Sequence, residues 1–334
     1  MLHIVNGEST AGTLRGSSVS GDVFSIRDAL IAGPTPAGVD GEEWLHVRAA
    51  HLADSYGIEV GTCEQDLLSQ DEALLSFAQH DEVVLWFEHD LFCQLNLLSV
   101  LDWFATQNTG HSKLALINIG DFPGRKDFRG LGELNAEELA SLFPGRHEVT
   151  SAELKLARSA WAAFRSSDPT AITRLLKTDT SSLPFLKTAF LAHLRRFPST
   201  INGLGKIEQT SLEFVRDGFE QFKNLFPQFA AAERVYGLGD AQLWLALREL
   251  STATQPLLSV ENVNGALGSQ MHQVIHQARF KLTDVGRAVL EGGADFLLLN
   301  ERDFWLGGVH FQKNAKGWRW DEASGSLIFM ADGA

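Results

Sequence analysis

The chain has 334 residues and a net charge of −14, and 44% of its residues are hydrophobic. This apolar fraction excludes a largely disordered protein. Because one hydrophobic core stops growing at roughly 250–300 residues, the length predicts two domains. No run of 18 apolar residues occurs, so no membrane partner is expected. The N-terminus has no basic segment followed by an apolar one, and we therefore expect no signal peptide and a cytoplasmic location.

The charge is distributed unevenly along the chain. Residues 1–150 contain 8 Lys and Arg against 23 Asp and Glu, whereas residues 151–334 contain 20 against 19. This change predicts a domain boundary near residue 150. The acidic first half argues against a phosphate backbone as its partner.

Strand-like and helix-like segments alternate through the first half. Residues 83–87 form a continuous apolar run, which is typical of a strand covered on both faces. Further strands are predicted at 2–5, 23–26, 114–119 and 147–149, and helices at 42–56, 63–79, 90–107 and 135–143. The alternation predicts an α/β, Rossmann-like domain over residues 1–150, with a doubly wound, mostly parallel sheet.

Helices dominate the second half. Those predicted at 151–166, 169–178 and 184–197 form a helical connector over residues 151–200. The region 201–334 follows, with predicted helices at 206–217, 228–236, 240–251 and 283–290, and strands at 256–260 and 278–282. It ends in β-like runs at 296–299, 304–311 and 317–330, with a hairpin turn predicted at 313–317. This order is typical of a winged-helix-like domain with C-terminal β-hairpins.

Polar residues follow four predicted strands of the first half. In open parallel sheets, ligands bind beyond the carboxyl ends of the strands, and we expect the site there. The candidates are Asn6, Gly7, Ser9, Thr10 and Gly12 after the first strand, Arg27 and Asp28 after the second, Glu88, His89 and Asp90 after the third, and Asp121 and Arg125 after the fourth.

The segment after the first strand resembles an anion cradle. Gly7 and Gly12 allow close backbone approach, and Ser9 or Thr10 is expected to cap the next helix, whose free N–H groups favour an anion. An ordinary cap and turn is the alternative, since neither the G-x-G-x-x-G nor the P-loop pattern occurs.

The triplet Glu88-His89-Asp90 places three titratable groups at the end of the most apolar strand. They are candidate acids, bases or metal ligands, although adjacent residues on an extended chain point in opposite directions. The alternative is that Asp90 caps the next helix and Glu88 favours its dipole.

The remaining candidates also have two interpretations each. Arg27 and Asp28 are either a ligand clamp or an ion pair, and Asp121 with Arg125 is either a partner pair or a loop corner. Nothing in the spacing requires a metal. Cys63 and Cys93 form no C-x-x-C pair, so we expect no disulfide or zinc–thiolate site, and we expect Cys93 to be a packing residue.

The helix predicted at 240–251 occupies the position of a DNA-recognition helix. Gln242 and Arg248 are its main side chains with hydrogen-bond donors suited to reading base edges. We therefore expect an interaction or structural module, with nucleic acid an unlikely partner.

Two motifs carry a resemblance to a known family. Residues 3–14 (HIVNGESTAGTL) and 86–95 (WFEHDLFCQL) resemble an uncharacterised bacterial family, known only as a domain of unknown function, whose members often have a second uncharacterised C-terminal domain. Some members carry a sigma-factor-like label. The resemblance covers nearly the whole chain and implies no established activity. It implies site residues at Asn6, Gly7, Ser9, Gly12, Glu88, His89, Asp90 and Gln94.

These observations favour a small-molecule site at the carboxyl edge of the N-terminal sheet, for an anionic or nucleotide-like ligand. Helix-start N–H groups near Ser9 and Thr10, with Arg27 or Arg125, would hold the anion. The alternatives are a transcriptional or signalling regulator and a protein-interaction adaptor. Any reaction, cofactor and oligomeric state stay open at this point.

Overall fold

The computed structural model describes residues 1–262, 274–312 and 317–331. Its first 150 residues alternate strands with helices. The strands are β1 (Leu2–Asn6), β2 (Asp22–Ile26), β3 (Glu82–Glu88), β4 (Lys113–Ile119) and β5 (His147–Glu148). The helices are α1 (Glu8–Arg15), α2 (Gly41–Tyr56), α3 (Val60–Leu75), α4 (Leu91–Phe104) and α5 (Ala136–Leu142).

The five strands form one sheet in the order β2-β1-β3-β4-β5. The first four are parallel, and β5 pairs antiparallel with β4 at the edge. The predicted α/β class and mostly parallel sheet are confirmed.

Both faces of the sheet are covered, because successive side chains of a strand point to opposite sides. Val83, Leu85 and Phe87 of β3 belong to the large apolar cluster that includes α4. Val84 and Trp86 belong to a second cluster that includes residues of α1 and α5. Helix α4 is apolar around most of its circumference because it packs against β3 as well as two helices of the second half, Ser151–Arg165 and Leu186–Leu194.

The rest of the chain is mainly helical. Its helices are α6 (Ser151–Arg165), α7 (Thr170–Leu175), α8 (Leu186–Leu194), α9 (Lys206–Arg216), α10 (Phe222–Ala232), α11 (Asp240–Thr252), α12 (Asp284–Leu290) and α13 (Phe296–Leu299). Its strands form three antiparallel pairs: β6 (Leu258–Glu261) with β7 (Arg279–Leu282), β8 (Phe304–Leu306) with β9 (Val309–Phe311), and β10 (Gly317–Asp321) with β11 (Ser326–Met330).

One apolar cluster runs through both halves of the chain. It extends from Leu85 in the sheet through Leu98 of α4 and Phe190 of α8 to Leu247 of α11 and Phe280 of β7. The C-terminal helices therefore pack on the α4 face of the sheet, and burial of this shared surface stabilises both halves together.

Some predicted elements of the C-terminal region are wrong. The β-like run at 296–299 is helix α13, in which Asp295 accepts backbone N–H bonds from Leu297 and Leu298 and so caps a helical turn. The run at 304–311 is two strands, because the chain reverses at Gly307. The run at 317–330 is likewise a hairpin. Residues 313–316 of the predicted turn lie outside the described residues.

The loop after β2 is organised by a buried arginine. Arg48 of α2 donates from Nη2 and Nε to the Asp28 carboxylate at 2.6 and 3.0 Å. It also donates to the carbonyl oxygens of Ala29, Ala32 and Pro34. Both side chains of the ion pair are buried. The predicted pairing of Arg27 with Asp28 is wrong, because the partner of Asp28 comes from α2.

We expect Arg48→Met to lower the free energy of unfolding by about 3–5 kcal/mol, because it leaves the buried Asp28 carboxylate without a counter-charge. Urea unfolding measures this change. Arg15→Met is the matched control, since Arg15 pairs with Glu8 at the surface and its loss should cost at most about 1 kcal/mol. Equal small losses in the two variants would contradict the role of Arg48.

Candidate functional site

The carboxyl ends of β1 and β3 meet at the switch point of the sheet. These strands are neighbours, yet α1 leads from β1 to β2 while α4 leads from β3 to β4 on the other side. Such a reversal opens a crevice between the two strand ends, where α/β proteins bind ligands. The structure places Asn6 and Gly7 on one side of this point and the triplet Glu88-His89-Asp90 on the other.

Glu88, the last residue of β3, is buried, and both of its carboxylate oxygens accept hydrogen bonds. Its Oε1 accepts a short hydrogen bond from the backbone N–H of Leu131, and its Oε2 accepts from the Cys93 thiol at 2.9 Å. The side chain of Leu131 is itself buried. Glu88 therefore holds the loop at residues 130–132 over the end of the strand.

Asp90 is the N-cap of α4. Its Oδ1 accepts from the backbone N–H of Cys93 at 2.9 Å, so the predicted capping role is confirmed. Gly237, with φ +63°, lies directly against it, and a Cβ there would come within 2.0 Å of Asp90 Oδ1. Only glycine combines this backbone conformation with the close approach, so the helix cap is also a contact with the C-terminal half.

The pKa values of both carboxyl groups are raised. Burial, together with repulsion from Glu88, raises the pKa of Asp90 to about 8. Burial also raises the pKa of Glu88 and that of the Cys93 thiol. The charged forms are unfavourable because burial removes them from water.

Glu88, Asp90 and Cys93 place their donor atoms within 4.8 Å of one another, a spacing at which a divalent ion can be held. No ligand motif in the sequence requires a metal here, and the sequence assigns Cys93 to packing. In the structure Cys93 is buried and also bonds to Glu88. A metal would have to displace that hydrogen bond and the protons of the cluster.

His89 points away from these two carboxyl groups. Its ring packs edge-on against Phe185, with centroids 6.0 Å apart, and burial lowers its pKa. Its Nδ1 is shielded from solvent and has no hydrogen-bond partner among the described residues. The side chains of Glu88 and Asp90 therefore lie on one side of the chain and that of His89 on the other, as the alternation of side chains along an extended backbone requires.

Side-chain amides surround the switch point. Gln94 donates to the Glu88 carbonyl at 2.6 Å and to Asn118 Oδ1 at 3.1 Å. Asn96 donates to Asn6 Oδ1 at 2.7 Å and to the Asp28 carbonyl at 3.2 Å. Three buried atoms of these amides have no partner among the described residues, namely Gln94 Oε1, Asn96 Oδ1 and Asn118 Nδ2.

Sequence reasoning missed Asn96 and Asn118. Asn96 stands between Leu95 and Leu97 in an almost wholly apolar helix, and it is 0% exposed. A polar residue in such a position is rarely buried without a specific partner. This signal was present in the sequence.

The start of α1 differs from the predicted anion cradle. The helix begins at Glu8 with Gly7 as N-cap and no capping side chain, so the predicted capping by Ser9 or Thr10 is wrong. Ser9 instead donates to the Gly132 carbonyl, and Thr10 is buried. The Glu8 carboxylate accepts from Ser25 Oγ at 2.6 Å and occupies the first turn with its own negative charge. Gly12 lies inside the helix.

The other predicted cations do not converge on the switch point. Arg125 makes a two-pronged ion pair with Glu138, at 2.7 and 2.9 Å, so its predicted pairing with Asp121 is wrong. Asp121 is exposed. The Arg27 side chain is exposed as well, while its backbone N–H donates to Gln70 Oε1.

A cleft of about 600 Å³ opens beside the end of β2, and Asp28 and Asn96 lie on its wall. We name it the sheet-edge cleft. The indole rings on its wall come from three helices and belong to Trp44, Trp103 and Trp161. Carboxyl groups on its wall are Asp28, Asp40, Asp71 and Asp102. Burial raises the pKa of Asp71 and Asp102.

Comparison of the sequence with protein-family models gives no match, and comparison with curated proteins gives none either. The family resemblance of residues 3–14 and 86–95 therefore stays a prediction. Within the described ranges, no helix combines the length and the apolar character that crossing a membrane requires. The basis for a functional proposal is the chemistry of the switch point and the sheet-edge cleft.

Asp90→Asn tests the buried carboxyl group, because the amide oxygen can still cap α4. The pKa of Asp90 is raised from 3.8 to about 8. Its contribution to stability is therefore complete below the unfolded pKa and is lost as the pH rises through the folded pKa. We expect the free energy of unfolding of the wild type to fall from about pH 5 to about pH 8, by at most about 1.4 kcal/mol per unit for one proton. The slope should be smaller in Asp90→Asn.

Urea unfolding at several pH values measures these slopes. Asp121→Asn, at an exposed carboxyl group, is the control and should leave the slope of the wild type unchanged. An unchanged slope in Asp90→Asn would show that Asp90 is ionised throughout the range.

Proposed function

We propose that this protein binds a small organic ligand at the carboxyl edge of the parallel sheet, in the sheet-edge cleft. The observation that carries the proposal is the carbonyl oxygen Oδ1 of Asn96. Asn96 lines the cleft, and this oxygen is shielded from solvent and accepts no hydrogen bond among the described residues. Such an unpaired group costs about 1–3 kcal/mol. A ligand whose donor reaches this oxygen through a side-chain movement on binding removes the penalty.

The lining of the cleft restricts the ligand. Asn96 Oδ1 and the carboxyl groups of Asp71 and Asp102 are acceptors, so the ligand supplies N–H or O–H donors. The indole rings favour a planar body that packs or stacks against them. The volume of about 600 Å³ suits a molecule of nucleoside size.

Charge decides between a nucleoside and a nucleotide. Arg165, the one arginine among the described residues of the wall, already donates to the carbonyl oxygens of Pro36 and Val39 and pairs with Asp40. The surrounding carboxyl groups repel an anion. We therefore narrow the ligand to a neutral or cationic planar molecule rich in donors, such as a nucleoside or an aromatic amine.

The acid–base role of Glu88, His89 and Asp90 is a second proposal from the same edge of the sheet. A carboxyl group with a raised pKa is a suitable general acid near neutral pH. However, Glu88 is covered by Leu131 and Asp90 by Gly237. This enclosure favours ligand binding over catalysis.

A winged-helix-like regulator is less well supported. In its favour, α9, α10 and α11 precede the antiparallel pair β6–β7, and Gln221 bridges to Arg279. Against it, Gln242 of α11 donates to the Tyr56 hydroxyl, and Arg248 contacts the Ser55 carbonyl. The polar face that would read base edges lies against α2, which favours an intramolecular packing role.

A thermal-shift measurement tests the binding proposal. We expect nucleosides or aromatic amines to raise the Tm of the wild type, since a ligand at about 100 times its Kd stabilises by about 2.7 kcal/mol. The matching nucleoside monophosphates should raise it less, because the phosphate meets Asp71 and Asp102. A flat response to every compound, or equal shifts with and without phosphate, would contradict the proposal.

Variants locate the site. Asn96→Ala should weaken binding about tenfold or more, which is about 1.4 kcal/mol. Asp71→Asn removes one negative charge without changing the shape of the side chain, and it should weaken the binding of a cationic ligand. Asn108→Ala is the control, because Asn108 is exposed in the loop after α4, and it should bind as the wild type does.

A further inference from the structure

A second cleft, of about 280 Å³, lies on the other side of the loop that Arg48 organises. Residues 31–34 of this loop and His51 of α2 form one wall. Arg196, Glu208, Arg248 and Arg302 from the C-terminal half form the other. We name it the arginine cleft. It is separate from the sheet-edge cleft, with which it shares none of its lining residues.

Arg196 is the unusual residue of this cleft. It follows α8, and its Nη1 is shielded from solvent without a hydrogen-bond acceptor among the described residues. Burial lowers the pKa of its guanidinium. A guanidinium stays charged at neutral pH even so, and a charged donor without an acceptor is unfavourable. The native state thus contains a buried donor that has no acceptor among the described residues, at a cost to its own stability.

Glu208, in the first turn of α9, lies beside Arg196 without pairing with it. A Cβ on Gly205 would meet the Arg196 carbonyl at 2.4 Å and Glu208 Oε2 at 2.6 Å, so the absence of a side chain at Gly205 allows this close packing. Burial raises the pKa of the Glu208 carboxyl. Within the described residues, no ion pair of 4 Å or less joins the two side chains, and each keeps bonding capacity for a third group.

Asp54 of this cleft is exposed to solvent, and the remaining charged groups of its wall have partners. Arg302 pairs with Glu249, and Asp303 pairs with His310. Arg248 reaches the Ser55 carbonyl at 3.5 Å. Burial and the nearby Arg48 lower the pKa of His51 to about 4, so its ring adds no positive charge. An unpaired cation and an unpaired carboxyl group are therefore set side by side.

We propose that the arginine cleft binds a small zwitterion of the amino-acid type, whose carboxylate accepts from Arg196 and whose ammonium group donates to Glu208. The planar fork of a guanidinium matches a carboxylate. The neighbouring carboxyl groups of Glu208, Glu249 and Asp303 disfavour a phosphate dianion. A cleft of about 280 Å³ suits a molecule of this size. The inference does not depend on a ligand in the sheet-edge cleft.

Thermal shift of the full chain with single amino acids tests the proposal. Propionate, ethylamine and inorganic phosphate serve as probes that carry only one of the two charges. We expect at least one amino acid to raise the Tm, and the single-charge probes to bind about tenfold or more weakly. If no amino acid raises the Tm, or if phosphate or propionate alone matches the best amino acid, the zwitterion site is wrong.

Two variants and a control assign the shift to this cleft. Arg196→Met should abolish the shift and leave the Tm of the free protein equal or higher, because it removes the unpaired buried charge. Glu208→Gln should weaken amino-acid binding about tenfold and leave binding of propionate unchanged. Arg195→Met is the control, since Arg195 is half exposed and pairs with Glu322. An amino-acid shift that persists in both cleft variants would overturn the proposal.

Discussion

The buried ion pair between Arg48 and Asp28 determines the shape of the region where ligands are proposed to bind. An arginine removed from water requires an acceptor for each of its donor groups, and the loop after β2 supplies them with one carboxylate and three carbonyl oxygens. The loop is thereby fixed in a single conformation. Asp28 faces the sheet-edge cleft, while residues 31–34 face the arginine cleft. One ion pair positions a wall of each.

The switch point of the sheet is partly closed by the chain itself. The loop at residues 130–132 covers Glu88, and Gly237 covers Asp90, so the carboxyl groups that follow β3 are removed from water. Their raised pKa values are the electrostatic consequence of this enclosure. The same contacts connect the sheet to the C-terminal half, because Gly237 approaches the N-cap of α4. The edge of the sheet that accommodates a ligand in open α/β proteins serves here in part as an internal interface.

The two clefts differ in their electrostatic character. The sheet-edge cleft combines indole rings, carboxyl groups and an unpaired carbonyl oxygen, so it presents acceptors. The arginine cleft presents an unpaired donor next to a carboxyl group. In both, a buried polar atom has no partner among the described residues, and this atom is the basis of the binding proposal, since folded proteins rarely leave such groups unsatisfied. The overall charge of −14 is a poor guide to the charge of either cleft, because local pairing decides which charged groups remain available.

The sequence alone determined the mostly parallel sheet and predicted a site at its carboxyl edge. A short, continuous apolar run such as β3 fits a buried strand better than other elements. The alternation of strands and helices implies parallel strands, whose carboxyl ends lie at the same edge of the sheet. The C-terminal run at 296–299 shows the limit of such patterns, since four apolar residues fit a strand or a helical turn and the cap at Asp295 decided it. Only the tertiary structure decided which groups pair. Arg48 pairs with Asp28, and Arg125 pairs with Glu138. The residues of each pair lie on different elements, so the spacing of residues along the chain does not predict these contacts. Asn96 and Arg196 became candidates because packing shields Asn96 Oδ1 and Arg196 Nη1 from solvent without a partner among the described residues, and burial depends on the whole fold.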